Sequence, residues 1–172
     1  MPFEDLLSAV GARFPKAILG TETFRGDLSV RVRREDLATV VAFLRDNADQ
    51  PFDFLENLCG VDYLNRDPRF EVVIHLISTI RIERICLKVG VPEHDPHIPS
   101  LTPLYPTANY QERETYDLYG IIFDGHPNLS RILLPDDWVG YPLRKDHPLG
   151  DEEVAFNFNQ DRIYAQKPFA KE

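Results

Sequence analysis

Proline sets where this chain can build regular structure, because its ring removes a backbone N–H and locks φ. Of 14 prolines, four (Pro2, Pro15, Pro51, Pro68) fall in the first half of the 172 residues. The other ten (Pro92, Pro96, Pro99, Pro103, Pro106, Pro127, Pro135, Pro142, Pro148, Pro168) fall in the second. Residues 91–106 alone hold five, too many for the interior of a helix or a sheet. The two halves therefore obey different rules.

The first half reads as alternating helices and strands. Phe3, Leu6, Leu7, Val10 and Phe14 recur at helical spacing, which predicts an amphipathic helix over 3–14. Residues 17–25 and 28–33 read as strands, with Leu28, Val30 and Val32 alternating against Ser29, Arg31 and Arg33. Gly26-Asp27 between them signals a hairpin, so Arg25-Gly26-Asp27 is a turn rather than an adhesion motif. Leu37, Val40, Val41 and Leu44 mark a second helix over 35–48, stopped by Pro51, and a short helix is expected over 52–58. Phe70, Val72, Ile74 and Leu76 alternate as a strand. After a turn near 79–83, Ile85, Leu87 and Val89 repeat the pattern. The order is α–β–β–α–α–β–β: an α+β layer with a mostly antiparallel four-stranded sheet and helices packed on one face.

After the proline run, a helix is expected over 108–119 with Gly120 as its C-cap. From 121 to 172 there is little periodicity, yet Ile121, Ile122, Phe123, Leu133, Leu134, Trp138, Tyr141, Phe156, Phe158 and Tyr164 supply apolar anchors on an extended, proline-stiffened backbone. Such a segment wraps its own domain or lies along another protein. The division is a compact α+β domain over 1–106, then a signature helix and extended segment over 107–172 that docks on partners.

Net charge is -9, which argues against nucleic acid or an anionic membrane surface as the main partner. Cys59 and Cys86 make no disulfide framework and suit a reduced compartment. The N-terminus is acidic where a signal peptide starts basic, and no stretch approaches a spanning helix. Any link to a membrane is expected to be indirect, through a partner.

The densest cluster of functional groups is Glu112-Arg113-Glu114-Thr115-Tyr116-Asp117-Leu118-Tyr119-Gly120. Glu112 and Glu114 point to opposite sides of a helix, so they are no ready-made pair for acid–base work. Arg113 lies one turn from Asp117, which favours an ion-pair network. A carboxylate enzyme using Glu112, Glu114 and Asp117 is the rival reading, and a metal at His94 and His97 a third. No dinucleotide fingerprint, P-loop or nucleophile elbow occurs, and two separated cysteines do not hold an iron–sulfur cluster. Residues 129–146 interleave Trp138 and Tyr141 with Arg131, Arg144 and Lys145, the usual anchors of a protein interface.

Glu112-Arg113-Glu114-x-x-Asp117-Leu118-Tyr119-Gly120-Ile121 resembles the signature of the family of C subunits in the proton-translocating NADH–quinone oxidoreductase, respiratory complex I. The resemblance runs on through Phe123-x-Gly125-His126-Pro127-Asn128-Leu129-x-Arg131-Ile132-Leu133 and Pro135-x-Asp137-Trp138-x-Gly140-Tyr141-Pro142-Leu143-Arg144-Lys145-Asp146. Upstream, Val61-Asp62-Tyr63 and Phe70-Glu71-Val72-Val73-x-His75-Leu76 belong to it too, so it covers roughly residues 50–149. His147 departs from it, standing where the family commonly has an aromatic residue before Pro148.

The resemblance implies a structural subunit of the peripheral, quinone-reducing arm with no cofactor of its own. Flavin, iron–sulfur clusters and quinone would reside in partner subunits: the quinone-pocket subunit and cluster-bearing neighbours. It implies a place on the cytoplasmic side of a bacterial membrane, attached only through the complex. The equivalent subunit of a related membrane-bound hydrogenase or ferredoxin-linked complex is the alternative. Glu112, Arg113, Glu114, Asp117, Tyr119, Gly120, His126, Arg131, Trp138, Arg144, Lys145 and Asp146 are the expected signature and partner-interface residues.

Overall fold

In a computed structural model of the chain, residues 3–46, 51–147 and 156–166 are described. The expected helix end at 47–48, Pro148 and the tail beyond 166 lie outside these residues. Helix α1 (Phe3–Arg13) leads into strands β1 (Ile18–Phe24) and β2 (Asp27–Val32). They pair antiparallel around a tight turn in which Arg25 and Gly26 both take positive φ, 53° and 92°. One turn of 3-10 helix (Arg34–Asp36) precedes α2 (Leu37–Asp46). Its buried residues Leu37, Val40, Val41 and Leu44 form the stripe that a 3.6-residue period places on one face.

Strands β3 (Phe54–Asp62), β4 (Phe70–Ser78) and β5 (Glu83–Val91) then form an antiparallel meander. The sheet has five strands in the order β1-β2-β5-β4-β3, with β2 and β5 parallel at the join. The expected short helix over 52–58 is therefore wrong, and the fifth strand is β3. The cause is a bulge: pairing slips between Leu55 and Asn57, leaving Glu56 as an extra residue. Leu55 and Leu58 thus both face the core, opposite Leu76 and Ile74, although they sit three residues apart. A bulged strand imitates helical spacing.

Phe70, Val72, Ile74 and Leu76 of β4 are completely buried, as are Val89 and Val91 of β5. The helices cover this face. Phe14 meets Phe43 of α2 edge-on at 5.8 Å, and Val10 of α1 joins the same core. The proline-rich run is irregular except for β6 (His97–Pro99), which pairs in parallel with β7 (Ile122–Asp124). Between them lies α3 (Ala108–Tyr119), packed on β3. Gly60 makes that packing close, because a Cβ there would stand 2.8 Å from the Tyr119 ring. A final helix, α4 (Gln160–Gln166), follows where no periodicity was expected. Among the described residues no helix is long and apolar enough to cross a membrane.

Gly120 ends α3 at φ 74°, and its N–H donates to the Tyr116 carbonyl. A Cβ there would lie 2.5 Å from the Tyr141 ring and 2.8 Å from the Arg144 guanidinium. Gly120→Ala combines left-handed strain with overpacking and should destabilise the chain by roughly 2–4 kcal/mol. Urea unfolding of the purified variant followed by circular dichroism measures this.

Candidate functional site

The candidate site is the layer formed by α3, the irregular strap over residues 126–147 and the β3–β4 end of the sheet. It starts from two carboxylates that α3 presents to opposite partners. Glu112 is fully buried and takes hydrogen bonds from Ser100 Oγ (2.6 Å), the Leu101 N–H (2.6 Å) and Thr102 Oγ1 (3.2 Å). It thereby fixes the loop after β6. Burial pushes its carboxyl up, against the pull of those donors.

Asp117 is also fully buried and organises the strap. Its Oδ2 accepts the consecutive N–H groups of Ile132 (3.0 Å), Leu133 (2.8 Å) and Leu134 (2.9 Å). Its Oδ1 meets Arg131 Nη1 at 2.7 Å. Burial pushes this carboxyl up, but the three amides and the guanidinium outweigh it and hold it below the usual range. The strap backbone has few partners of its own, so this one side chain satisfies three of its donors.

The expected partnership of Arg113 with Asp117 is corrected by this geometry. Arg113 donates instead to the carbonyls of Ser130 (3.0 Å) and Arg131 (3.0 Å), while Arg131, from the strap, takes Asp117. An Arg fork satisfies carbonyls of an irregular segment that no neighbouring strand serves. Glu114 is exposed. Glu112, Glu114 and Asp117 therefore do not converge, and the geometry gives no support to a carboxylate active site. Among the described residues no group of three or more His, Cys, Asp or Glu side chains could hold a metal ion.

The strap continues along α3 toward the sheet. The Leu143 N–H donates to the Leu118 carbonyl (3.2 Å), and Arg144 Nε donates to the Tyr119 carbonyl (2.7 Å). The Arg144 guanidinium lies between the rings of Tyr141 (4.6 Å) and Phe70 (5.0 Å). The Tyr119 ring packs over Gly60, and burial raises its phenol. His126 accepts the Asn128 N–H at Nδ1 (3.0 Å), so Nε2 carries the proton and donates to the Asn109 carbonyl (3.2 Å).

Sequence reasoning missed the hub at the end of this path. Arg69 is 5 % exposed and faces three carboxylates: Asp62 (2.8 Å), Glu93 (2.5 Å) and Asp146 (2.8 Å). Asp62 also accepts the backbone N–H groups of Leu64 (2.7 Å) and Lys145 (2.8 Å). The guanidinium first, then these amides, hold the Asp62 carboxyl far below the usual carboxylate range. Lys145 thus serves through its backbone, while its side chain stays exposed. Asp62 and Arg69 close the β3–β4 connection, opposite charges seven residues apart at its two ends. Asp146, 77 residues away, leaves no such trace.

The outer surface of the strap carries apolar side chains among exposed Asp136, Asp137 and Lys145. Leu133 (60 %), Val139 (88 %), Leu143 (49 %) and Trp138 (38 %) stand exposed on a backbone pinned from below. Fold and site together define a class: a two-layer α+β unit whose own irregular strap is anchored by buried charges and turns its apolar side chains outward, as a component of a larger assembly does. A family model described as the 30 kDa subunit of respiratory-chain NADH dehydrogenase matches residues 30–153, and the chain belongs to that family.

A relative from Roseiflexus sp. (strain RS-1), named as the C subunit of an NADH-quinone oxidoreductase, is 67% identical over 167 residues, 97% of this chain and 96% of its own length. One of the same name from Herpetosiphon aurantiacus is 60% identical over 163 residues, 95% of this chain and 94% of its own. A solved structure described as a trypsin-resistant fragment (1-134) of Nqo5 is 36% identical, with a TM-score of 0.62, covering 75% of this chain and all of that fragment. A chain from the membrane-bound sulfane sulfur reductase, an archaeal respiratory membrane complex, shares the fold at TM-score 0.67 and 21% identity over 87% of both chains.

Removing the hub cation strands buried Asp62, so Arg69→Met should cost about 3–5 kcal/mol at pH 7. Asp62 and Asp146 have depressed carboxyls in the folded chain. Their stabilisation is complete above the unfolded value of about 4 and drains as pH falls below it. The wild-type denaturation midpoint should therefore drop between about pH 5 and pH 3, and the drop should be smaller in Arg69→Met. A pH series of urea melts checks both.

Proposed function

We propose that this chain serves in the peripheral, quinone-reducing arm of a proton-translocating NADH–quinone oxidoreductase as a subunit without a cofactor of its own. Electrons pass from NADH through flavin and iron–sulfur centres in other subunits to quinone. This chain holds the subunits that carry those steps in register. Small displacements of reacting groups are costly in rate, so a rigid scaffold affects turnover without touching the chemistry. Its neighbours are the subunit that builds the quinone pocket and the cluster-bearing subunits. It lies on the cytoplasmic side of the bacterial membrane and meets the membrane only through the complex.

The observation that carries this reading is the strap. Asp117 and Arg113 occupy its backbone groups and Arg144 ties it to the Tyr119 carbonyl at the end of α3, so exposed Leu133, Trp138, Val139 and Leu143 are held in place before any partner arrives. Preorganised apolar anchors lose little conformational freedom on docking. Of the signature residues, Trp138 is the direct contact. Glu112, Asp117 and Arg131 act from beneath by fixing the loops, and Tyr119 and Gly120 set how closely the strap approaches α3.

The test separates folding from docking. Leu133→Asp with Val139→Asp places charge only on exposed positions, so the isolated chain should melt within about 0.5 kcal/mol per site of wild type. Native gel electrophoresis of membranes carrying the double variant should nevertheless show loss of the intact complex, with NADH–quinone reductase activity falling in proportion. Normal amounts of active complex would overturn the strap as the docking surface.

A further inference from the structure

The two edges of the five-stranded sheet are treated differently. β3 lies against α3, and Gln111 Nε2 donates to its Glu56 carbonyl. β1 pairs with β2 along one side, and no strand among the described residues pairs along the other. Its last four residues are all exposed, with Leu19 and Phe24 each 65 % accessible. Unpaired strand edges invite another strand, and natural sheets blunt them with proline, lysine or bulges. Ile18-Leu19-Gly20-Thr21-Glu22-Thr23-Phe24 contains neither proline nor lysine, and its one irregularity lies at the start, between Ile18 and Gly20.

Charge marks the same edge. On the sheet face away from the helices, β1 borders a cavity of about 350 Å³ framed by Gly20, Glu22, Ser29, Arg31 and Lys88. Glu22 lies 3.7 Å from Lys88, while Arg31 is exposed and makes no ion pair among the described residues. The cavity rim is thus locally cationic on a chain of net charge -9.

Resting on the assembly reading above, we infer that β1 is a docking edge. An extended segment of a neighbouring subunit, carrying an acidic side chain that faces Arg31 across Gly20, adds beside β1 as a sixth strand. Backbone hydrogen bonds along the edge supply the binding, and the charged cavity selects the side chain.

Hydrogen exchange compares the isolated full chain with the purified complex. Amides of residues 19–24 should exchange about tenfold or more slowly in the complex. Successive residues in a strand direct their N–H groups to opposite sides, so Thr21→Pro and Glu22→Pro differ. One breaks a bond to β2 and weakens the fold; the other removes only an outward donor. The variant with the wild-type melting point should assemble roughly tenfold less complex, and Arg31→Glu should assemble several-fold less.

Equal exchange in both samples, or full assembly of the stable proline variant, overturns the inference. So does an isolated-chain dimer that this variant abolishes while complex assembly is untouched, because the edge then serves a second copy. Failure of the chain to co-purify with any NADH–quinone oxidoreductase subunit would instead sink the assembly reading itself. A chain that co-purifies with unprotected β1 amides sinks only the docking edge.

Discussion

Arg69 draws four separate stretches of the chain to one point. It stands at the start of β4, pairs with Asp62 at the end of β3, reaches Glu93 just beyond β5 and holds Asp146 at the far end of the strap. Burying a guanidinium is expensive unless its donors are all used, and here three carboxylates use them. The site is also self-consistent in charge sharing. Buried Asp62 is matched mainly by Arg69, whereas Asp146 and Glu93 are half exposed and remain partly hydrated. Removing either exposed acid is therefore a modest change, while removing the cation is not.

Most of the sheet was legible because β2, β4 and β5 alternate cleanly and their turns are short. The exception teaches the rule behind it. Period-two alternation holds only while pairing is regular, and Glu56 interrupts β3, so Leu55 and Leu58 fall into helical spacing on a strand. The parallel join of β2 to β5 is invisible for another reason: hairpins advertise themselves locally, but a contact between strands more than fifty residues apart leaves no local pattern. The α3 helix and its Gly120 cap were legible because capping chemistry is local.

The site shows the same division. The motif groups Glu112, Arg113, Asp117, Arg131 and Arg144, and the structure brings them into one layer. Their pairings were not readable. Helical spacing joins Arg113 to Asp117, yet the carboxylate turns away to a nest of strap amides. An irregular segment rich in proline has backbone groups that neither helix nor sheet serves, and side chains of α3 serve them instead. That demand decides the partners, and it becomes visible only once the strap is placed.

The sheet order also bears on how the chain is made. The β1–β2 hairpin leaves the ribosome early, but its inner neighbour β5 ends only at Val91. At about 5–20 residues per second, the hairpin waits several seconds with both of its edges unsatisfied. The nascent chain thus passes through a stage in which its first strands have no sheet to join, with closure resting on a long-range step. Closing this sheet therefore depends on chain made long after its first hairpin.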